Sequence, residues 1–199
     1  MAVPPPNDRR RAQLADAAIA LLAEHGVHGV THRAVDAHAA LPSGTASNYF
    51  RSRESLLVAA AQRVVELHQA DMDAAAQDST GLIGTTIERT VELIAGSLLD
   101  AATIHRARYL AIFELRMESM RRPVLAETLA GLMSSMESFT TAHHSSLELQ
   151  IAPEAVPLLM ILYGGALFTL VSAPPGTVTD GLALGLATAI VRGALAGPV

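Results

Sequence analysis

The sequence has no cysteine, tryptophan or lysine among its 199 residues, and aromatic residues make up only 4%. Without cysteine, the chain has no disulfide bonds, no cysteine zinc sites and no thiol catalysis. All 14 basic residues are arginine, which we interpret as a genomic preference for GC-rich codons. Residues 1–11 contain prolines and arginines but no apolar run, so we expect no secretory signal and a cytoplasmic protein.

Alanine and leucine dominate a sequence that is half apolar, and these two residues are strong helix formers. The composition therefore predicts an all-α fold. Thr31, Ser43 and Ser52 are predicted N-caps, and Gly26 is predicted to end a helix with a positive φ angle. The apolar periodicity, together with these signals, predicts helices at about 8–25, 32–39, 44–50, 53–76, 82–100, 103–120, 123–145, 153–173 and 177–196.

Charge is distributed unevenly along the chain. Residues 1–65 hold seven arginines against five acidic residues, whereas residues 66–199 hold seven arginines against fourteen. This asymmetry favours contact between the N-terminal part and a polyanion. Ordinary surface charge is an equal alternative.

Residues 31–50 are typical of a helix-turn-helix, in which two short helices flank a turn and the second enters the major groove of DNA. The second helix is polar, and its N-terminal amide groups could face phosphates. Asn48 could pair with an adenine edge. We expect Phe50 in the core and Tyr49 at the phosphate rim. Packing between the two helices is assigned to Ala34, Val35, Ala37, Ala39 and Leu41.

The stretch from Arg10 to about Leu57 resembles the DNA-binding domain of the TetR family of bacterial transcriptional regulators. The resemblance rests on Ala17-Ala18, Leu21-Leu22, Gly26, Thr31-His32-Arg33-Ala34-Val35, Leu41-Pro42-Ser43-Gly44-Thr45, Tyr49-Phe50 and Arg53-Glu54-Ser55-Leu56-Leu57. The chain departs from the family at Ala46, where a larger apolar residue is usual, at Ser47, where tyrosine is usual, and at Arg53, where lysine is common.

The motif and the resemblance together predict a DNA-binding domain at residues 8–52 and a ligand-binding and dimerisation domain at residues 53–199. Arg53 is expected to hold a phosphate bidentately. The predicted DNA-binding residues are Thr31, Arg33, Ser43, Gly44, Thr45, Ser47, Asn48, Tyr49 and Arg53.

The C-terminal region contains a long uncharged segment, residues 155–179. A membrane-spanning helix is one interpretation, but prolines 157 and 174 bracket only about 16 residues, which is short for a span. In the last helix, small residues recur at every fourth position from Gly181 to Gly193, beside an apolar stripe. We therefore predict that the last two helices form a four-helix homodimer interface, which the TetR resemblance also implies. An internal hairpin in a monomer is the alternative.

The middle helices are predicted to enclose a small-molecule effector, because methionine adapts to irregular ligands. Ordinary core packing is the alternative for each residue, and surface ion pairs are the alternative for Glu114 and Arg116. Residues 105–109 and 121–123 also resemble C-terminal regions of some actinobacterial TetR members. The predicted ligand-binding residues are Tyr109, Phe113, Glu114, Arg116, Met117, Met120, Met136 and Phe139.

Enzymatic function finds no support in the sequence. His25, His28 and His32 are close together, but Gly26 and Gly29 break the helix that would align them as metal ligands. No nucleophile, Walker or dinucleotide motif is present, so we expect no metal and no cofactor. The prediction is a ligand-responsive, DNA-binding regulator, a repressor released from a palindromic operator. An activator of the same fold, an integral membrane protein and a helical interaction protein are the alternatives.

Overall fold

The computed structural model describes residues 6–78, 85–149, 151–174 and 176–196. Within these ranges the regular structure is helical, so the predicted all-α fold is confirmed. The predicted start of the fifth helix, at residues 82–84, lies outside the described residues. The helices are α1 (Pro6–Gly29), α2 (His32–His38), α3 (Thr45–Tyr49), α4 (Arg53–Asp78), α5 (Thr86–Ala102), α6 (Arg106–Ser119), α7 (Pro123–Ser146), α8 (Val156–Ser172) and α9 (Asp180–Leu195).

The chain divides into two compact units. Unit 1 comprises the described residues of Met1–Leu67 and Ala107–Leu132, and unit 2 those of His68–Arg106 and Met133–Val199. The first part of α4 and residues 107–132 share the apolar core of the N-terminal helices. The compact units therefore do not coincide with the predicted division between residues 52 and 53.

Unit 1 is built around the apolar face of α1. Leu14 and Leu22 are fully or almost fully buried there, as the spacing along this helix predicts. Phe50, at the end of α3, is only 2% exposed, and its predicted place in the core is confirmed. Val35 of α2 is also buried, but Ala37 is exposed, so its predicted packing role is wrong. Ala37 faces solvent because it lies on the opposite side of the short helix from the core.

Gly26 interrupts α1 near its C-terminal end. Its φ angle is +65°, a left-handed conformation that glycine adopts without steric cost, as predicted. A Cβ atom at this position would lie 3.2 Å from Oε2 of Glu114, so α6 passes close to the interruption. The missing side chain thus allows the positive φ angle, and the end of the Glu114 side chain lies over the glycine.

Unit 2 packs α5 against α8 and α9, and α8 against α9. Arg106 fixes the end of α8, because its Nε donates to the carbonyl oxygen of Val171 at 3.0 Å. Gly193 of α9 lets α8 approach, since a Cβ atom there would lie 3.2 Å from Cδ1 of Leu162. Gly193 is thus a point of close contact between the two C-terminal helices.

The segment Pro153–Ser172 is long and apolar enough to cross a membrane, judged by length and composition alone. It begins with a 3₁₀ turn, Pro153–Ala155, and continues as α8. Pro157 lies in the first turn of α8, where its missing N–H has no intrahelical partner to lose, so it does not break the helix. Only 28% of the most apolar window is buried within the chain.

Candidate nucleic-acid interface

The helix-turn-helix is formed by α2, a short turn and α3. Thr31 caps α2 as predicted, because its Oγ1 accepts from the amide of Ala34 at 3.1 Å. Ala40 follows with a φ angle of +52°, and this left-handed residue redirects the chain out of α2. The amide of Leu41 then donates to the carbonyl oxygen of Asp36 at 2.9 Å. The turn therefore leads the chain into α3 through one strained alanine.

The predicted N-cap role of Ser43 is wrong. The N-cap of α3 is Gly44, with a φ angle of +93° and no side chain to accept a hydrogen bond. The left-handed Gly44 starts the helix one residue later than predicted, so Ser43 remains outside it as an exposed residue.

The buried carboxylate of Asp36 caps α3 instead. Its Oδ2 accepts from the amide of Gly44 and its Oδ1 from the amide of Ala46, both at 2.7 Å. Asp36 itself is 3% exposed. The intervening amide, of Thr45, donates to the carbonyl oxygen of Pro42 at 3.1 Å. These amides are thus occupied within the protein, so our expectation that they face phosphates is not supported.

The C-terminal end of α3 is held by two further side chains. Nε2 of His32 donates to the carbonyl oxygen of Phe50 at 2.7 Å. Nη1 of Arg11 donates to the carbonyl oxygen of Tyr49 at 3.4 Å, and its guanidinium carbon lies 4.9 Å above the centre of the Phe50 ring. A helix of five residues cannot sustain itself alone, so these contacts at both ends determine its position.

Arg53, which we expected to grip a phosphate, binds the backbone of its own domain. Its Nε donates to the carbonyl oxygen of Val30 at 2.8 Å, and its Nη2 donates to that of Val27. The side-on edge of the guanidinium is therefore occupied, and this edge cannot hold a phosphate bidentately. Ser52 caps α4 as predicted, because its Oγ accepts from the amide of Ser55 at 3.0 Å.

All nine predicted DNA-binding residues lie on the helix-turn-helix or at the start of α4, and they differ in exposure. Thr31, Arg33, Ser43, Ser47 and Asn48 are exposed. Gly44, Thr45, Tyr49 and Arg53 are half-buried. Their contacts with DNA stay predictions.

Arg51 is an exposed arginine that is not among the nine predicted DNA-binding residues. It lies between α3 and α4, two positions before the half-buried Arg53. Residues 31–53 contain three arginines and a single acid, Asp36, which is buried with both oxygens bound to amides. The exposed part of this segment therefore carries positive charge from Arg33 and Arg51 without an exposed carboxylate.

The eight predicted ligand-binding residues do not share one compact unit. Six lie in unit 1 and two, Met136 and Phe139, lie in unit 2. Met117 and Met120 are 57% and 78% exposed, because they occupy the outward side of α6 and the residue after it. Their roles with an effector stay predictions.

The other predicted ligand residues vary in environment. Tyr109 is buried and Phe113 half-buried, whereas Arg116 is exposed. Glu114 lies against Gly26. The ring of Phe139 stacks on His143 with 5.6 Å between the ring centres.

Unit 2 carries an open groove of about 750 Å³ beside the C-terminal half of α7. It includes none of the eight predicted ligand residues. Its lining is formed by hydroxyl, carboxylate and aliphatic groups of Glu137, Ser138, Thr141, Ala142, Ser145, Glu148, Leu149, Ile151 and Pro153.

Two family models match the sequence and together span most of it. The model described as bacterial regulatory proteins, tetR family, matches residues 14–60. The model described as tetracyclin repressor-like, C-terminal domain, matches residues 85–197, more than half of the chain. The chain belongs to the TetR family of transcriptional regulators. The family predicted from residues 10–57 is thereby confirmed.

Solved structures show the same fold over nearly the whole length of this TetR-family chain. One, described as a TetR-family transcriptional regulator from Mesorhizobium loti MAFF303099, is 13% identical, with 97% of this chain and 98% of that chain covered and a TM-score of 0.76. A transcriptional regulator from Streptomyces coelicolor A3(2) is 22% identical, with 92% and 98% covered and a TM-score of 0.68.

A third solved structure is described as the multidrug binding protein EbrR complexed with imidazole. It is 24% identical, with 92% of this chain and 89% of that chain covered and a TM-score of 0.64. No curated protein matches the sequence. At these identities the structural matches establish the fold of the TetR-family chain and leave its DNA site and effector to be proposed.

Proposed function

We propose that this TetR-family protein is a homodimeric repressor that binds a palindromic operator and is released from it by a small molecule. The observation that carries the DNA-binding part is the exposed surface of residues 31–53. Arg33 and Arg51 are exposed in this segment, and so are the polar residues Ser47 and Asn48. The single acid in the segment is buried. Phosphate contacts from arginine and base contacts from polar side chains are what a DNA-reading helix requires.

The phosphate contact that we expected from Arg53 is assigned to Arg51 in this proposal. Arg51 is exposed and follows α3 directly, whereas Arg53 is bound to two backbone carbonyls. Each phosphate contact that is lost lowers the slope of log affinity against log salt by about one. Asn48, exposed on α3, is assigned to base reading, which is worth about 1–3 kcal/mol of discrimination per good contact.

The experiment first selects duplexes with the wild-type chain from a random-sequence library. Fluorescence anisotropy then measures binding of a selected duplex and of a random duplex at several salt concentrations. We expect Arg51→Ala to weaken binding to both duplexes and to lower the salt slope, and Asn48→Ala to reduce the preference for the selected duplex. A wild-type chain that enriches no sequence and shows no salt-dependent binding would end the proposal.

The homodimer is proposed to form through α8 and α9, as we expected from the small residues of the last helix. In the single chain, Ile161 is 71% and Phe168 55% exposed on α8, and Leu182 and Leu184 are 46% and 48% exposed on α9. Apolar side chains exposed together on neighbouring helices favour cover by another molecule. A second copy supplies that cover, and it also supplies the second recognition helix for the other half of a palindrome.

Sedimentation velocity tests the dimer. We expect wild type to sediment as a dimer and Phe168→Glu to shift the population to monomer. Ile87→Glu is the matched control, because Ile87 is a similarly exposed apolar residue on α5, outside the two helices. If Phe168→Glu remained dimeric and Ile87→Glu became monomeric, the dimer interface would lie outside α8 and α9.

Release by a small molecule is supported by the family and by the solved relative described as a multidrug binding protein complexed with imidazole. Release requires that the molecule bind more tightly to the DNA-free form than to the DNA-bound form. A panel of small organic molecules that includes imidazole is screened for loss of anisotropy on the selected duplex. A promoter fused to that duplex then separates a repressor from an activator, because the repressor lowers reporter expression until the molecule is added.

A further inference from the structure

The buried carboxylate of Asp36, on α2, lies directly against the start of α3, the proposed DNA-reading helix. Both of its oxygens are used by amides at the start of α3, each at 2.7 Å. It belongs to α2, so it links the two helices of the motif by side chain to backbone. No other acid occurs between residues 31 and 53.

The carboxylate of Asp36 occupies amides at the start of α3 that could otherwise bind a DNA phosphate. The first turn of a helix presents unpaired N–H groups that bind anions, and in a DNA-binding helix the anion available outside the protein is a phosphate. Here the amides of Gly44 and Ala46 already donate to Asp36, and that of Thr45 donates to Pro42. These three amides at the start of α3 are therefore paired within the protein before it binds DNA.

The cap also determines where the side chains of α3 point. The helix has five residues and its own N-cap, Gly44, contributes no side-chain hydrogen bond. Ser47 and Asn48 follow Ala46 directly in the same helix, and both are exposed. Groups that recognise a ligand need to be held within about 0.5 Å and 10–20° by supporting hydrogen bonds, and Asp36 supplies such bonds here.

We propose that Asp36 is a positioning residue for DNA recognition: it fixes the direction in which α3 presents Ser47 and Asn48, and thereby sets the preference for operator over random DNA without touching DNA. The inference rests on the proposed DNA-binding function. Because Asp36 contacts no phosphate, its loss reduces sequence discrimination and leaves the salt dependence of binding unchanged. Arg51 is proposed above as a phosphate contact, so its loss has the opposite effect: it lowers the salt dependence of binding and weakens binding to operator and random DNA alike.

The test compares full-length wild type with Asp36→Asn on the selected duplex and on a random duplex of the same length. Asparagine keeps one acceptor oxygen, but its NH2 group replaces the other oxygen and cannot accept from a backbone amide. One of the two hydrogen bonds is therefore lost. We expect the ratio of the two affinities to fall by about tenfold, which is within the discrimination of one good base contact. The salt slope stays that of wild type. Glu24→Gln is the matched control, since it removes an exposed acid of the same unit, and its ratio is expected to remain that of wild type.

A second measurement on the wild type needs no variant and keeps the proposal falsifiable if Asp36→Asn fails to fold. Amide hydrogen exchange is followed at Gly44 and Ala46 with and without the selected duplex. We expect both amides to be protected in the free protein and to change little on binding. Rapid exchange in the free protein with protection only in the complex would overturn the proposal, because DNA rather than Asp36 would then hold the helix.

The outcomes separate the two hypotheses. A wild type that discriminates between duplexes, together with a folded Asp36→Asn that discriminates equally well, would overturn the positioning role and leave the DNA-binding function standing. A wild type that binds no duplex would overturn the proposed function itself. A salt slope that drops in Asp36→Asn as it does in Arg51→Ala would also count against the positioning role.

Discussion

The Nε atom of Arg53 donates a hydrogen bond to the carbonyl oxygen of Val30 at 2.8 Å, and this contact joins the beginning of α4 to the segment before α2. The same guanidinium donates from Nη2 to the carbonyl oxygen of Val27. One half-buried side chain therefore donates to a carbonyl in the last turn of α1 and to one in the segment between α1 and α2. Arg53 therefore connects the start of α4 to the end of α1 and to the segment that leads into α2.

Arg53→Ala is expected to destabilise the protein, because it leaves these two carbonyls without their charged donor. Hydrogen bonds to charged groups contribute about 1.5–3 kcal/mol, and we expect the free energy of unfolding to fall by about that amount. Urea denaturation followed by circular dichroism measures the change. Arg51→Ala is the matched control, since an exposed surface substitution is expected to stay within about 0.5 kcal/mol. Equal stability of the two variants would contradict the structural role of Arg53.

The helices of this protein could be predicted from sequence because their signals are local. Apolar spacing along α1 and the proline at the start of α7 mark elements whose residues lie close together in the chain. Thr31 and Ser52 are caps for the same reason, since each accepts from an amide three residues later. The positions of most helices thus followed from short-range chemistry, whereas the start of α3 depends on the side chain of Asp36.

The roles of Arg53 and Asp36 could not be predicted in this way. Each side chain binds backbone atoms eight to twenty-six residues away, and the partner depends on how the helices pack. Asp36 did carry a weak signal, because an acid directly after the core residue Val35 must be either exposed or paired. The sequence offered no means of choosing between these two outcomes.

The predicted ligand-binding residues illustrate a different difficulty. Methionine and aromatic residues of the middle helices were chosen for chemistry that suits a ligand and a core equally. The structure separates them, since Tyr109 is buried and Met120 is exposed. Which side of a helix faces inward near its end depends on neighbouring elements, so residue type alone did not define a pocket.

Ala40 is expected to be a site where glycine stabilises the protein. Its φ angle of +52° lies in the left-handed region, which costs an L-residue about 1–2 kcal/mol and glycine almost nothing. After the greater chain entropy of glycine in the unfolded state is subtracted, we expect Ala40→Gly to raise the free energy of unfolding by about 0.5–1 kcal/mol.

The matched control for this substitution is Ala37→Gly. Ala37 is exposed in α2, three residues before Ala40, and has a helical conformation. Glycine in a helix interior costs about 1 kcal/mol relative to alanine, so the same chemical change is expected to destabilise here. Thermal or urea unfolding of both variants shows whether each substitution raises or lowers the free energy of unfolding. Destabilisation by Ala40→Gly would contradict the strained geometry of the turn.

The hydroxyl groups of Tyr163 and Ser97, two half-buried residues of unit 2, form a pair with 2.7 Å between the two oxygens. Burial raises the pKa of Tyr163 to about 12, so the phenol stays protonated and can donate. Tyr163→Phe leaves the oxygen of Ser97 without this partner, and we expect a loss of about 1–2 kcal/mol in the free energy of unfolding.

A double-mutant cycle tests whether the two hydroxyls act as a pair. Ser97→Ala is expected to destabilise by a similar amount, and the double variant by clearly less than the sum, because it removes both polar groups together. Strict additivity of the two single effects would show that the hydroxyls do not depend on each other.

His144 is expected to make the stability of the protein depend on pH. The side chain is buried on α7, and its Nδ1 atom has no hydrogen-bond partner among the residues that the structure describes. Burial, followed by the charge of His143, lowers the pKa of His144 from 6.5 to about 4. Between these values the unfolded chain binds a proton that the folded chain does not. The contribution of His144 to the free energy of unfolding is thus fully present above the unfolded-state pKa of 6.5. It is lost as the pH falls toward the folded-state pKa of about 4, by up to about 3 kcal/mol.

Urea denaturation at pH 7, 6 and 5 measures this decline in stability. His144→Leu is expected to make the decline less steep while leaving the neighbouring pair of His143 and Asp73 in place. An equally steep decline in His144→Leu would assign the pH dependence to other groups.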